Sequence, residues 1–178
     1  AERLKEEKQE TIADDFSEVT ILFADIVDFT KLSGRPSPHA LVDMLNKVFS
    51  AFDHLTERHG LEKIKTIGDA YMVVAGLPVV RPDHAEATAN MALDMLAEMP
   101  RLREEIGEPL GLRIGINSGP VVAGVIGDRK FAYDTWGDSV NIASRMESQG
   151  MENRIQLTEN TYAHLRDEYV CEERGMIT

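Results

Sequence analysis

Cysteine is nearly absent from this chain, because Cys171 is the only one among 178 residues. A single cysteine excludes a disulfide framework and a cysteine-rich zinc site, and it is typical of a reducing compartment. Long apolar runs are also missing: the longest, from Tyr71 to Val80, is too short to span a bilayer. We therefore expect a soluble domain.

Basic residues are scarce as well, with 19 Lys and Arg against 31 Asp and Glu and a net charge of -12. This balance excludes a general nucleic-acid-binding role, so any anionic ligand has to be held by locally placed cations. What the chain does have is apolar content: 43% of its residues are hydrophobic, enough to bury the core of one domain.

Hydrophobic periodicity predicts the order strand, helix, hairpin, helix, strand. The segments are a strand within 18–30, a helix over 36–58, a hairpin over 61–76, a helix over 83–102, and two short strands within 110–127 joined at Ser118-Gly119-Pro120. This order predicts an α+β fold, a ferredoxin-like (βαββαβ) antiparallel sheet with helices on one face. Extra C-terminal strands at 131–135 and 155–158 and helices at 137–149 and 159–168 are expected after it.

Two aspartates stand out in this frame. Asp25 ends a buried apolar strand, where a carboxylate is costly to desolvate unless it meets a cation or several donors. Asp69 lies at the hairpin tip beside Gly68, and the ordinary alternative for it alone is a turn residue. The first strand neighbours the hairpin in a ferredoxin-like sheet, so both carboxylates converge on one edge. Hard oxygen ligands of this kind suit magnesium.

Candidate phosphate contacts follow from backbone and arginine chemistry. The backbone from Ile26 through Phe29 to Thr30 leads from strand into helix, so its N–H groups could face a phosphate chain, although no Walker or dinucleotide glycine pattern is present. Arg113 lies in an otherwise apolar strand and needs a partner, which is either a phosphate or a structural salt bridge.

A helical pair and a strand pair complete the candidate residues. Asn141 and Arg145 are four residues apart and share one helix face. Asn141 suits a sugar oxygen and Arg145 a phosphate, and the alternative is an ordinary surface pair. Lys65 and Asp134 offer one donor and one acceptor, which complements the edge of adenine and mismatches guanine if the two share a pocket.

Three segments carry a family resemblance: FADIVDFT at 23–30, KTIGDAYM at 65–72 and DTWGDSVNIASRM at 134–146. In order and content they resemble the signature segments of class III nucleotidyl cyclase catalytic domains, and the resemblance runs from about Phe16 to Thr178. It implies that Asp25 and Asp69 bind two divalent cations, Mg²⁺ or Mn²⁺, with the Ile26 carbonyl as a further ligand.

The resemblance also assigns roles to the other candidates. Lys65 and Asp134 select adenine, as in adenylyl members, whereas guanylyl members carry glutamate and a cysteine or similar residue there. Asn141 positions the ribose, and Arg145 stabilises charge on the α-phosphate. Arg113 matches a position that contacts the terminal phosphates in some members. The family site lies between two subunits, so the resemblance implies a homodimer with two shared sites.

Domain limits follow from the same comparison. Residues 1–15 are expected to form a helical connector from an upstream regulatory or membrane region, and residues 16–178 the catalytic domain. The expected location is the cytoplasm, with a membrane tether through the upstream region. Members usually continue beyond the position of Thr178 into a Gly- and Lys-rich strand that contacts the triphosphate, so the C-terminal end is expected to be truncated.

The implied reaction is conversion of ATP to 3′,5′-cyclic AMP and pyrophosphate by two-metal-assisted attack of the ribose 3′-hydroxyl on the α-phosphate, in signal transduction. Three rivals remain. Lys65 and Asp134 disfavour a guanylate cyclase, the full residue set disfavours a non-catalytic nucleotide-binding dimerisation module, and the Asn141 to Arg145 helix disfavours a palm-type nucleotidyltransferase that joins two nucleotides.

Overall fold

The structure, a computed structural model, describes residues 11–27, 29, 37–126 and 133–177. Its strands are β1 (Thr11–Val27), β2 (Glu62–Ile67), β3 (Ala70–Ala75), β4 (Gly111–Ile126), β5 (Tyr133–Trp136) and β6 (Arg154–Leu157). Its helices are α1 (Pro38–His59), α2 (His84–Ile106), α3 (Asp138–Ser148) and α4 (Glu159–Leu165). None of the helices in the described segments is long and apolar enough to cross a membrane.

Helix α1 shows how local sequence sets the element boundaries. The Ser37 side chain accepts a hydrogen bond from the Ala40 backbone N–H at 3.2 Å, and Pro38 occupies the first turn, where its missing N–H costs nothing. The helix ends at Gly60, whose φ of 69° is left-handed and therefore favours glycine. The predicted helix, including its end at Gly60, is confirmed from Pro38 onward.

The sheet has the order β2-β3-β1-β4-β5, with β6 pairing in parallel with β4. β1 lies between β3 and β4 and pairs antiparallel with both, and β2 pairs antiparallel with β3. This is the ferredoxin-like order, so the predicted fold class is confirmed. Because β1 is central, the end of β1 lies beside both the β2–β3 turn and the start of β4.

The two faces of the sheet carry different helices. On one face, Leu22 and Tyr71 pack with residues of α1 and α2, among them Phe52 and Met91. On the other face, Phe23, Met72 and Val74 pack with Ala143 of α3. The two helices of the ferredoxin-like core thus share a face, as predicted, and the added helix α3 covers the opposite face.

Two expectations about the elements are wrong. Residues 110–127 were predicted as two strands, but β4 runs unbroken through Ser118, Gly119 and Pro120. Pro120 lies opposite the irregularity between Phe16 and Val19 of β1, where the ladder does not need its missing N–H.

The expected helical connector over residues 1–15 is wrong at its end, because β1 already begins at Thr11 and pairs with β4 from there. Pairing with a long neighbouring strand satisfies the backbone groups of residues 11–15 that a helix would otherwise satisfy internally. Residues 1–10, on which the rest of that expectation falls, lie outside the described residues.

Candidate active site

Asp25 lies near the end of β1, where its neighbours across the ladder are Ala70 of β3 and Arg113 of β4. Residues 19–24, which directly precede it, are buried, and the Asp25 side chain itself is 17% exposed. The sheet therefore holds this carboxylate at the edge where β1, the hairpin turn and β4 meet.

Asp69 reaches the same edge from the tip of the β2–β3 hairpin. Gly68 adopts a left-handed φ of 59°, which the tight turn requires. The Ile26 backbone N–H points at the Asp69 carbonyl at 3.4 Å, which fastens the turn to β1. Burial, together with the neighbouring charge of Asp25, raises the pKa of Asp69. The structure thus brings Asp25 and Asp69 together, as their placement in the sequence predicted.

Arg113 is the cation of this edge. Its Nη2 donates to Asp25 Oδ2 at 2.8 Å, and its Nε lies 3.5 Å from Glu147 Oε1. The hydrogen bond to Asp25 raises the pKa of Arg113, against the opposing effect of partial burial. Of the two partners left open for Arg113, the structure shows the salt bridge, and the guanidinium remains 31% exposed.

Glu147 belongs to this cluster, although nothing in the sequence singled it out as a site residue. It lies on the side of α3 that faces the sheet, with Ser139 and Ala143, and is 8% exposed. Burial and the adjacent Asp25 carboxylate raise the pKa of Glu147 to about 8. The four-residue spacing of the buried positions on α3 was the signal that could have found it.

The residues at this edge fit a hard divalent cation. Asp25 Oδ1 is buried and accepts no hydrogen bond within the described structure, and Asp69 is close enough to be coupled to it electrostatically. A buried carboxylate oxygen with no partner next to a second carboxylate is unfavourable unless it shares a proton or a cation lies between them. Two oxygen donors leave room for water and phosphate oxygens, which magnesium usually retains.

Lys65 and Asp134 also come together. Lys65 Nζ donates to Asp134 Oδ2 at 2.9 Å, although the strands β2 and β5 that carry them are at opposite ends of the sheet order. Curvature of the sheet brings β2 and β5 into contact. The other carboxylate oxygen of Asp134 accepts the Thr135 backbone N–H at 2.8 Å, which fixes the carboxylate toward Lys65.

Asn141 and Arg145 lie on the exposed side of α3, opposite Ala143 and Glu147. The predicted helix and the shared face of these two residues are confirmed. Among the described residues, neither side chain forms a hydrogen bond or ion pair with Asp25 or Asp69. One chain thus presents two separate groups of candidate residues.

The candidates after β1 are only partly described. Phe29 is half-buried and packs against the core beneath α1 and α2. Thr30 lies outside the described residues, and a phosphate contact by the backbone of this segment stays a prediction.

The Adenylate and Guanylate cyclase catalytic domain family matches residues 11–178 of the chain. The chain belongs to this family. An adenylate cyclase of Mycobacterium tuberculosis (strain ATCC 25618 / H37Rv) is 51% identical to the cyclase domain over 177 residues, which are 99% of this chain and 40% of that relative. The cyclase domain therefore spans less than half the length of this curated relative.

Solved structures of both kinds of cyclase resemble the domain. The adenylyl cyclase CyaB from P. aeruginosa has a TM-score of 0.88 at 31% identity, with 96% of this chain and 89% of that chain covered. A dimeric guanylyl cyclase domain of the RhoGC fusion protein from the aquatic fungus Blastocladiella emersonii has a TM-score of 0.86 at 42% identity, with 90% and 89% covered. The fold alone therefore does not distinguish an adenylate cyclase from a guanylate cyclase.

Proposed function

We propose that this cyclase domain converts ATP to 3′,5′-cyclic AMP and pyrophosphate. The observation that carries the choice of adenine is the contact between Lys65 Nζ and Asp134 Oδ2 at 2.9 Å. This contact holds one hydrogen-bond donor and one acceptor side by side, at side chains that are 43% and 26% exposed. A base can therefore enter between them from solvent.

Adenine matches that pair, because its ring nitrogen accepts a hydrogen bond and its amino group donates one. Guanine presents the reverse order on the same edge, so both Lys65 and Asp134 would face a group of their own kind. A mismatch of this type leaves polar groups unpaired and costs about 1–3 kcal/mol for each group. Lys65 and Asp134 thus favour ATP over GTP.

The carboxylate edge, by which we mean Asp25 and Asp69, would hold the divalent cations that the cyclase family uses. Asp25 and Asp69, with the Ile26 carbonyl, would bind two Mg²⁺ or Mn²⁺ ions. Such ions, when bound, polarise phosphate oxygens and lower the pKa of the ribose 3′-hydroxyl. Arg113 lies beside the Glu147 carboxylate. The partly exposed guanidinium of Arg113 can bind the terminal phosphates.

The exposed face of α3 would complete the site. Asn141 orients the ribose, and Arg145 stabilises the charge that builds on the α-phosphoryl oxygens, an effect worth a few kcal/mol in comparable sites. The 3′-oxygen attacks the α-phosphorus, the bond to the bridging oxygen of the β-phosphate breaks, and pyrophosphate leaves with that electron pair. The hydroxyl proton is released to water by the end of the reaction.

A second copy of the chain would supply that face. Asn141 and Arg145 point away from the Asp25 of their own chain, so a complete site needs the carboxylate edge of one copy and the α3 surface of another. We therefore propose a homodimer with two equivalent shared sites, a closed arrangement in which the same surfaces meet twice.

Guanylate cyclase activity is the second candidate, because a guanylyl cyclase domain is similar to this chain at 42% identity. The test is to give the purified protein equal ATP and GTP with Mn²⁺ and then with Mg²⁺, and to identify cyclic products by mass spectrometry. We expect cyclic AMP in clear excess and no product from Asp25→Asn.

Other products would decide against this proposal. Cyclic GMP in excess over cyclic AMP would make the chain a guanylate cyclase. Nucleotide binding without any cyclic product would make it a non-catalytic module, and a linear or cyclic dinucleotide would indicate a nucleotidyltransferase.

A further inference from the structure

A second cluster of metal-ligating side chains lies away from the carboxylate edge. Glu18 of β1, His84 at the start of α2 and His164 of α4 each offer one ligand atom, and these atoms all lie within 4.8 Å of one another. In the described part of the chain, no other group of three or more His, Cys, Asp or Glu side chains meets this distance.

We propose that Glu18, His84 and His164 form a binding site for Zn²⁺. Two imidazole nitrogens and one carboxylate oxygen are a ligand set that zinc uses, with a water in the fourth position. His164 Nε2 lies 2.9 Å from Glu18 Oε1. Ligand atoms of a tetrahedral zinc site are about 3.3 Å apart, given bonds of about 2.0–2.1 Å. The three ligand atoms, all within 4.8 Å of one another, thus lie near that spacing, and two of them are on exposed side chains that can rotate.

His84 is preorganised for this role. It is 4% exposed, and its Nδ1 lies 2.6 Å from Thr20 Oγ1, which leaves Nε2 as the nitrogen available to a metal. Thr20 Oγ1 is in turn 2.8 Å from Ser118 Oγ, and Ser118 Oγ is 3.0 Å from Thr161 Oγ1. A hydrogen bond to the second imidazole nitrogen is what fixes the tautomer and orientation of a metal-bound histidine.

The geometry of the two rings and the local charge both suit a cation. The rings of His84 and His164 meet edge to face, with centroids 4.9 Å apart. Burial, with the neighbouring His164, lowers the pKa of His84, which favours the neutral imidazole that metals bind. Glu18 and Glu86 add negative charge around it, and Glu86 Oε2 is buried without a hydrogen-bond partner among the described residues.

This site differs in chemistry from the carboxylate edge. Imidazole ligands favour zinc and other first-row transition metals, whereas an all-oxygen set favours magnesium. A bound ion would join three separate elements, because its ligands come from β1, α2 and α4. It would therefore stabilise the packing of the short helix α4 against the sheet and α2.

The test measures zinc affinity directly. Protein without a histidine tag, treated with chelator and carrying Asp25→Asn to disable the carboxylate edge, is titrated with Zn²⁺ against a chromophoric chelator. We expect one ion per chain. We also expect at least about tenfold weaker binding for His164→Ala and for Glu18→Gln. Co²⁺ in the same protein should give the intense visible absorption of a four-coordinate site.

A matched control keeps the result specific. His54→Ala removes an exposed histidine from α1, far from the cluster in sequence and on another element, and should leave zinc affinity unchanged. The proposal is overturned if no tight ion binds, or if His164→Ala binds zinc as well as its parent. His164→Ala and Glu18→Gln both change exposed residues, so circular dichroism should confirm that each is folded.

Discussion

Lys65 and Asp134 contact each other directly, with Lys65 Nζ 2.9 Å from Asp134 Oδ2. Exchanging the pair for Lys65→Glu with Asp134→Cys replaces the donor by an acceptor and removes the original acceptor. The same pocket then matches guanine better than adenine. We expect the ratio of kcat/KM for ATP to that for GTP to fall at least about tenfold, measured with both nucleotides under one metal condition.

The matched control for this exchange is Lys63→Glu. Lys63 lies two residues earlier on β2, is exposed, and pairs with Asp53 instead of Asp134. Its substitution makes the same charge change on the same strand as Lys65→Glu alone, so the ATP to GTP ratio should not move. An unchanged ratio in the Lys65 and Asp134 double variant would remove this pair from base recognition.

Glu147 gives a prediction about pH and stability. Its pKa in the folded protein is raised from 4.5 to about 8, so the unfolded chain loses the proton at lower pH than the folded one. The free energy of unfolding therefore falls as pH rises through this window, by an amount on the order of 3–5 kcal/mol for a shift of this size. Glu147→Gln removes that loss.

The measurement is urea denaturation at pH 5 and pH 8.5 in excess chelator, so that metal binding does not contribute. Between pH 5 and pH 8.5, the free energy of unfolding of the wild-type protein should fall by several kcal/mol more than that of Glu147→Gln. Glu104→Gln, an exposed carboxylate on α2, is the control and should track the wild type. Parallel pH profiles for wild type and Glu147→Gln would contradict the buried, protonated state of Glu147.

At this scale the sequence predicted some site residues better than others. Asp25 and Asp69 were predictable because a strand end and a Gly-Asp turn have known positions in a ferredoxin-like sheet. The contact between Lys65 and Asp134 was not, because it depends on sheet curvature that joins β2 to β5. Glu147 was missed because helix periodicity alone does not say which neighbour its buried face meets.

At the scale of elements, α3 lies unusually close to β4. A Cβ added to Gly115 would lie against the backbone nitrogen of Glu147, well inside van der Waals contact. Backbone cannot give way as a flexible side chain can, so Gly115→Ala should push α3 away from the sheet. We expect the free energy of unfolding in urea to fall by at least about 1–3 kcal/mol. Cyclase activity should also be lost, because α3 carries Asn141 and Arg145.

Gly119 provides a control on the same strand and under the same helix. Its added Cβ would lie 2.5 Å from the Ser139 Oγ and 3.4 Å from the Ser139 Cβ. Gly119→Ala should therefore cost less than Gly115→Ala, and Gly119→Ala with Ser139→Ala should recover most of the loss. A Gly115→Ala protein as stable and active as wild type would show that α3 does not depend on this close approach.

The elements also show where local sequence signals lose to long-range pairing. The helix ends, the hairpin and the order of the sheet were predictable from periodicity, glycine positions and turn residues. Ser118-Gly119-Pro120 reads locally as a turn, yet β4 continues through it because β1 is long enough to pair on both sides of the irregularity at Phe16 and Val19. Partner length is not visible in the local sequence.

At the scale of the whole molecule, the candidate residues fall into two groups on different surfaces of one chain. Asp25 and Asp69 form the carboxylate edge, whereas Lys65, Asp134 and Arg145 belong to the proposed nucleotide-binding surface. If each site takes one group from each copy, a variant damaged in one group can complement a variant damaged in the other. Two variants damaged in the same group cannot.

Mixing Asp25→Ala with Arg145→Ala is therefore the decisive experiment for a shared site. Random assortment makes half of the dimers mixed, each with one intact site of two, so activity should recover to about one quarter of wild type. Mixing Arg145→Ala with Asp134→Ala damages the same group twice and should stay inactive. Mixed dimers are verified by two different affinity tags, and a failure to recover activity in verified Asp25→Ala and Arg145→Ala dimers would mean that each chain builds its site alone.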